Sequence, residues 1–250
     1  MPNTATKRIA VTFDAGASVA LATPVPPGYL LPLLQLSDSA LPTGAFSHSL
    51  GLESFLHRGL VHDEATFSDW LTQFIRIQLV HSDGLAIRFV FEAETEAEIH
   101  RVDRELHASA LPREIRAAGV KVGARMLDIA GSVFPCQELE NYAAAVARGD
   151  CAGHPAMAFA IAGKSLGVPL AELLGTYMFS AVTSLTQNAI RGIPLGQSAG
   201  QRVLRAAHQE VSDGVVLAQT LGREDFGVTA PGLEIAQMQH ERQRARMFMS

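Results

Sequence analysis

The second half of this chain is divided by prolines that begin helical segments and glycines that end them. Pro155 opens a run that ends at Gly167, Pro169 one that ends at Gly192, and Pro194 one that ends at Gly222. Proline suits a first helical turn because its missing N–H would be unpaired there, and glycine suits the position past the end because it tolerates positive φ. Upstream, Phe67, Trp70, Leu71, Phe74, Ile75 and Gln78 recur at intervals of three and four. This spacing predicts an amphipathic helix opened by Asp63 and running to about His81. A second helix is expected over 85–98, and a third from Pro112 to Pro135. No apolar run alternates with period two, and Asp213-Gly214 lies inside a helical pattern. The expectation is an all-α, single-domain helical bundle of roughly eight to ten helices.

The boundaries follow from composition along the chain. Lys7 and Arg8 precede an apolar stretch, and Ala20-Leu21-Ala22 resembles a cleavage site, but Asp14 splits the stretch and its second half is alanine and glycine rather than leucine. Residues 1–28, closed by Pro24, Pro26, Pro27 and Gly28, therefore read as a mobile tail and stiff linker rather than a signal peptide. Residues 29–222 form the expected domain. Residues 223–232 read as a loop, and 223–250 as a loop plus a basic, exposed, mobile C-terminal segment.

Composition narrows the function classes. With 48% hydrophobic residues the chain can fill a core, and a net charge of −5 argues against binding nucleic acid. The longest apolar runs are too short to span a bilayer, so no membrane partner is expected. Two cysteines, Cys136 and Cys151, suit reduced thiols in the cytoplasm better than a disulfide scaffold. A mean hydropathy of +0.15 with only 18% charged residues suggests apolar surface covered by partner proteins.

Each catalytic pattern fails on its own terms. Ser47-His48-Ser49-Leu50-Gly51 approaches the hydrolase elbow Gly-x-Ser-x-Gly, but Ser47 replaces the first glycine and Leu41-Pro42-Thr43-Gly44 precedes it where a buried strand is required. Gly163-Lys164-Ser165 is the tail of a phosphate-binding loop, but Ala158 stands where its first glycine belongs and the context is helical. Cys151 and His154, or His100 and His107, lack the paired spacing of a stable metal site. The carboxylates Glu92, Glu94, Glu96 and Glu98 read as a solvated helix face. A binding or scaffold protein is therefore favoured over an enzyme. The alternatives are a helical hydrolase using Ser49 with a histidine, and a nickel-binding regulator.

Residues 33–53, LLQLSDSALPTGAFSHSLGLE, resemble the N-terminal signature of the urease accessory protein UreF family. His154-Pro155 with the helix that follows, Ile193-Pro194-Leu195-Gly196-Gln197, and the end His240-Glu241 with Arg246-Met247-Phe248-Met249-Ser250 are similar to further blocks of that family in the same order. Met247 stands where leucine is commoner, and the tail before residue 29 is not family-like. The resemblance implies an all-α, homodimeric, non-catalytic protein. It implies a protein that joins UreD/UreH, recruits the GTPase UreG, modulates GTP hydrolysis, and serves nickel insertion into apo-urease. Nickel would be cargo in transit, with no stably bound cofactor. Such a role makes physical sense because imidazole and carboxylate sites prefer copper to nickel, so delivery must supply the selectivity that affinity does not.

On that reading the partner-binding residues are Phe46, His48, Glu53, His240, Glu241, Arg246, Met247, Phe248 and Ser250. Phe46 reads equally as core or interface, and His48 equally as a structural or a partner-facing residue. Glu53 reads as an acceptor or as the mate of a basic partner. Met247, Phe248 and Met249 offer apolar anchors and Arg246 a bidentate donor. The segment from 240 is expected to order only on UreD/UreH. Pro42, Gly44, Gly51, Pro155, Pro194 and Gly196 read as structural.

Overall fold

In the computed structural model, which describes residues 26–249, the centre of the molecule is the most apolar helix. Helix α8 (Pro155–Ser165) buries every residue from Ala156 to Gly163. A helix apolar on all sides must be surrounded, and α8 is enclosed by α4 (Leu85–Glu92), α6 (Arg113–Val133), α7 (Gln137–Arg148) and α9 (Leu170–Gly192). Its alanines let neighbours approach closely. A Cβ at Gly123 of α6 would lie 1.7 Å from the Gly153 carbonyl oxygen, so only glycine fits there. Helix α10 (Gln197–Thr220) lies along α9 and α3 (Glu64–Gln73), tied to the latter by Arg202 and Glu64 at 2.5 Å. Short helices α1 (Leu30–Leu36) and α2 (Leu52–His57) and the last helix, α11 (Pro231–His240), close one end, with α11 packed on α2 and α6.

The described residues contain eleven α-helical segments and no strand; the one β-like pairing is an isolated parallel bridge between His48 and Met249. Helices α3 and α4 are joined by a π-helical segment, Phe74–Gly84, into one uninterrupted rod, which leaves ten rods in an all-α fold. Asp63 caps α3, its carboxylate accepting from Thr66 N–H at 2.8 Å. Trp70 stacks on Phe67 and Phe74 and meets Phe55 edge-on, which fastens α2 to α3.

Several boundaries differ from the sequence expectation, each for a local reason. The helix expected over 85–98 breaks at Ala93, because Glu98 accepts from the Glu94 and Thr95 amides and Thr95 starts α5 (Glu96–Ser109) with a capping box. Glu98 is solvent-exposed, as expected, and also caps α5. Helix α7 has no proline in its first turn; Pro135 stands ahead of its N-terminal cap residue, Cys136, and Gly149, at φ +81°, ends it. Pro194 precedes α10 without opening it, since the helix begins after Gly196. The stretch 223–232 contains a 3-10 turn, Arg223–Asp225, and the start of α11.

Candidate functional site

The 41–53 segment is built around backbone that few residues tolerate. Gly44 (φ +82°) starts a 3-10 turn, Ala45–Ser47, and Leu50 (φ +51°) and Gly51 (φ +96°) are consecutive left-handed residues ahead of α2. Leucine is uncommon there. Gln237 of α11 holds this turn by donating to the Leu50 carbonyl at 3.0 Å. At Gly51 a Cβ would lie 2.8 Å from Gln237 Cγ and 2.9 Å from Leu233 Cδ1, so the glycine serves both the turn and the close approach of α11.

Beneath this turn, charged groups collect around a fully buried histidine. His240 Nε2 lies 3.0 Å from Glu53 Oε2 and Nδ1 lies 3.0 Å from Glu114 Oε2. Glu53 also accepts from the backbone N–H of Met247 (2.6 Å) and of Phe248 (3.0 Å). Arg246 donates to Glu114 at 2.7 Å, and Arg113 pairs with Glu241 at 3.0 Å. Burial acts to raise the Glu114 carboxyl, but hydrogen bonds from His240 and Arg246 outweigh it and hold it below the ordinary carboxylate range. Phe248 is buried under the Arg191 guanidinium, 5.0 Å from its ring centroid. Met249 and the 47–49 backbone exchange two hydrogen bonds of 2.8 Å, and Asn188 donates to the His48 carbonyl at 2.7 Å.

The partner-binding residues expected from the sequence therefore separate into two groups. His48, Glu53, His240 and Phe248 are buried within the chain and build a platform. Glu241 and Arg246 lie at its edge, engaged with Arg113 and Glu114. Phe46 and Met247 are more than half exposed, and Met249 joins them. Ser250 lies outside the described residues, as does most of 1–28. The segment 240–249 has a seat on its own chain, where Glu53 supplies acceptors for two of its amides and Phe248 fills an apolar slot. Sequence reasoning missed the roles of Glu114 and Arg113, which are paired with α11 and the tail across more than a hundred residues. The only sequence signal would have been unpaired opposite charges, which has no fixed spacing.

The other candidate chemistry resolves into packing. Ser49 Oγ is buried and has no hydrogen-bond partner, so nothing is placed to take its proton. A Cβ at Gly163 would meet Leu173 at 2.2 Å, and Lys164 donates to the Ala93 carbonyl at 2.8 Å. His154 caps α8, its Nδ1 accepting from Ala156 N–H at 3.3 Å, and burial lowers its pKa. Burial, and then the nearby Asp103 carboxylate, push the Cys151 thiol up to about 12, far from a reactive thiolate. No group of three His, Cys, Asp or Glu side chains among the described residues is arranged to hold a metal ion, and no helix among them is long and apolar enough to cross a membrane. Pro155 occupies the first turn of α8, while Pro42 helps form the turn before Gly44.

The UreF family profile matches residues 61–208. The chain is 57% identical over 222 residues to the urease accessory protein UreF of Paenarthrobacter aurescens strain TC1, covering 89% of this chain and 98% of that protein. It is 58% identical over 222 residues to the protein of the same name from Arthrobacter sp. strain FB24, covering 89% and 97%. It is 43% identical over 225 residues to that of Lachnoclostridium phytofermentans, covering 89% and 99%. Both the profile and these relatives span most of the folded body, and the chain belongs to the UreF family of urease accessory proteins.

Proposed function

We propose that the protein serves urease maturation in the cytoplasm as a homodimeric scaffold with no bond-making chemistry of its own. It joins UreD/UreH and recruits the GTPase UreG, whose GTP hydrolysis it modulates, so that nickel in transit reaches apo-urease. The observation that supports this reading is the exposed trio Phe46, Met247 and Met249, carried on backbone that is hydrogen-bonded together between 47–49 and 249. An aromatic and two thioethers on a fixed backbone give rigid and adaptable apolar contacts side by side. The buried Glu53–His240–Glu114 network fixes that face before a partner arrives, so less ordering entropy is lost on binding.

The test is co-purification of the full chain with UreD/UreH. Met247→Asp and Phe46→Ala should each lose the complex at least about tenfold while the free protein keeps its helical circular dichroism. Undiminished complex with both substitutions combined would overturn the assignment of this face. Point substitution is the cleaner experiment, because deleting 240–250 would also remove buried His240 and Phe248 and strand Glu53. A hydrolase reading has no comparable support, since Ser49 is enclosed and lacks a base.

A further inference from the structure

The longest irregularity in the backbone is the π-helical segment Phe74–Gly84, eleven residues where π-helix normally appears as a single-turn bulge, often at functional sites. It brings Gln78, Ser82 and Asp83 to a cavity of about 200 Å³. The walls of the cavity are apolar and include Leu36, Phe46, Met126, Phe159 and Leu185. Its polar end is rich in acceptors and poor in charged donors. Asp83 accepts from the Tyr177 hydroxyl at 2.5 Å and from the Ser82 hydroxyl at 2.8 Å, both neutral donors. No lysine or arginine among the described residues lies within ion-pair distance of Asp83; the nearest basic group is His154, at 3.9 Å. The His154 Nδ1 lone pair already accepts the Ala156 amide, and burial lowers the pKa of the ring. Gln78 Oε1 is buried with no hydrogen-bond partner.

We propose that this cavity is a binding site for a small primary alkylammonium group, with the ammonium at Asp83 and Gln78 Oε1 and the alkyl chain along the apolar walls. An ammonium brings three donors and one positive charge, which an uncompensated carboxylate and an orphaned carbonyl oxygen lack. A divalent metal fits less well. At its polar end the site offers one carboxylate, Asp83, the other lining carboxylate, Asp38, being solvent-exposed; the His154 Nδ1 lone pair is taken by Ala156 N–H, and apolar walls stand where a hydration shell would lie. The cavity shares Phe46 with the partner-binding face, but its polar end, Asp83 and Gln78, lies outside the exposed trio, so amine binding and partner binding are tested separately.

The test is calorimetric titration of the full chain with n-pentylammonium chloride and, separately, with 1-pentanol. The alcohol keeps the alkyl chain and removes the charge. Pentylammonium should bind saturably at one site and at least about tenfold more tightly than pentanol. Asp83→Asn should weaken pentylammonium at least about tenfold and leave pentanol within about twofold. Nα-acetyl-lysine N-methylamide separates the two sources of the group: binding comparable to pentylammonium means a lysine side chain of another polypeptide can enter, and its failure alone means the site takes free amines. The absence of saturable pentylammonium binding, equal binding of pentanol, or displacement of pentylammonium by one equivalent of nickel chloride would each overturn the proposal. Should Asp83→Asn fail to fold, the comparison of amine with alcohol on the unaltered chain still decides it.

Discussion

Two buried carboxylates in this protein use the same chemistry on different kinds of chain. Asp103, on α5, accepts from the Ala152 (2.5 Å) and Gly153 (3.0 Å) amides and from the Tyr142 hydroxyl (2.6 Å). Glu53, on α2, accepts from the Met247 and Phe248 amides and lies against His240. Each gathers two consecutive backbone N–H groups from a distant segment. Asp103, however, fastens an internal loop held at both ends by α7 and α8, whereas Glu53 fastens a segment attached only through α11. A loop held at both ends cannot leave its carboxylate without disturbing both helices. A segment held at one end can peel into water, where its amides are satisfied by solvent. The first clamp is therefore part of global stability, and the second is a latch whose release exposes the platform.

The comparison predicts a large effect at Asp103. Asp103→Ala leaves two amides and a hydroxyl unpaired in the interior and should cost about 3 kcal/mol in urea unfolding. A loss under about 1 kcal/mol would break the distinction. Glu53→Ala should cost less globally, about 1–2 kcal/mol, because the tail can detach. Its larger effect should be local, with amide exchange at Met247 and Phe248 at least about tenfold faster; equal protection in the variant would show that the latch lies elsewhere.

A third expectation concerns pH. Glu114 has its carboxyl depressed in the folded state, so its contribution is present above the unfolded value of 4.5 and is lost as pH falls through the lower folded value. Amide exchange over 246–249, corrected for its intrinsic pH dependence, should accelerate across that acid range, and Glu114→Gln should flatten the response. The smallest expected effect is at Phe46, which is 53% exposed: Phe46→Ala should change unfolding free energy by no more than about 0.5 kcal/mol while weakening the partner complex. A large stability loss there would assign Phe46 to the core instead.

Much of the helical architecture was legible because it rests on local signals. The pattern of three and four from Phe67 to Gln78 and the starts at Asp63, Pro112 and Pro155 lie where helices begin or run. Helix α7 was hidden because Pro135, just ahead of its cap, reads as the end of the preceding helix, and the π segment because its residues keep an apolar repeat that resembles ordinary helix. The exposed Phe46 and Met247 could be named from the sequence, but not separated from buried His48 and Phe248 beside them. Met247 and its neighbour Phe248 face opposite ways, and the 3-10 turn Ala45–Ser47 leaves Phe46 exposed while His48, just past it, is buried; which direction is inward depends on what packs against each segment.

The order of residues was enough to determine an all-α fold, the segment boundaries marked by proline and glycine, and family membership through its motif blocks. These depend on periodicity, backbone preference and short spacings, which are properties of neighbours along the chain. Tertiary structure alone decided that Glu53 and Glu114 enclose His240, that Asp103 secures the 152–153 backbone, and that Asp83 lines a cavity with His154, rather than a lysine or arginine, as its nearest basic group. Those pairings join groups separated by tens to nearly two hundred residues, and their energies arise from burial and distance, which do not exist until the helices have packed.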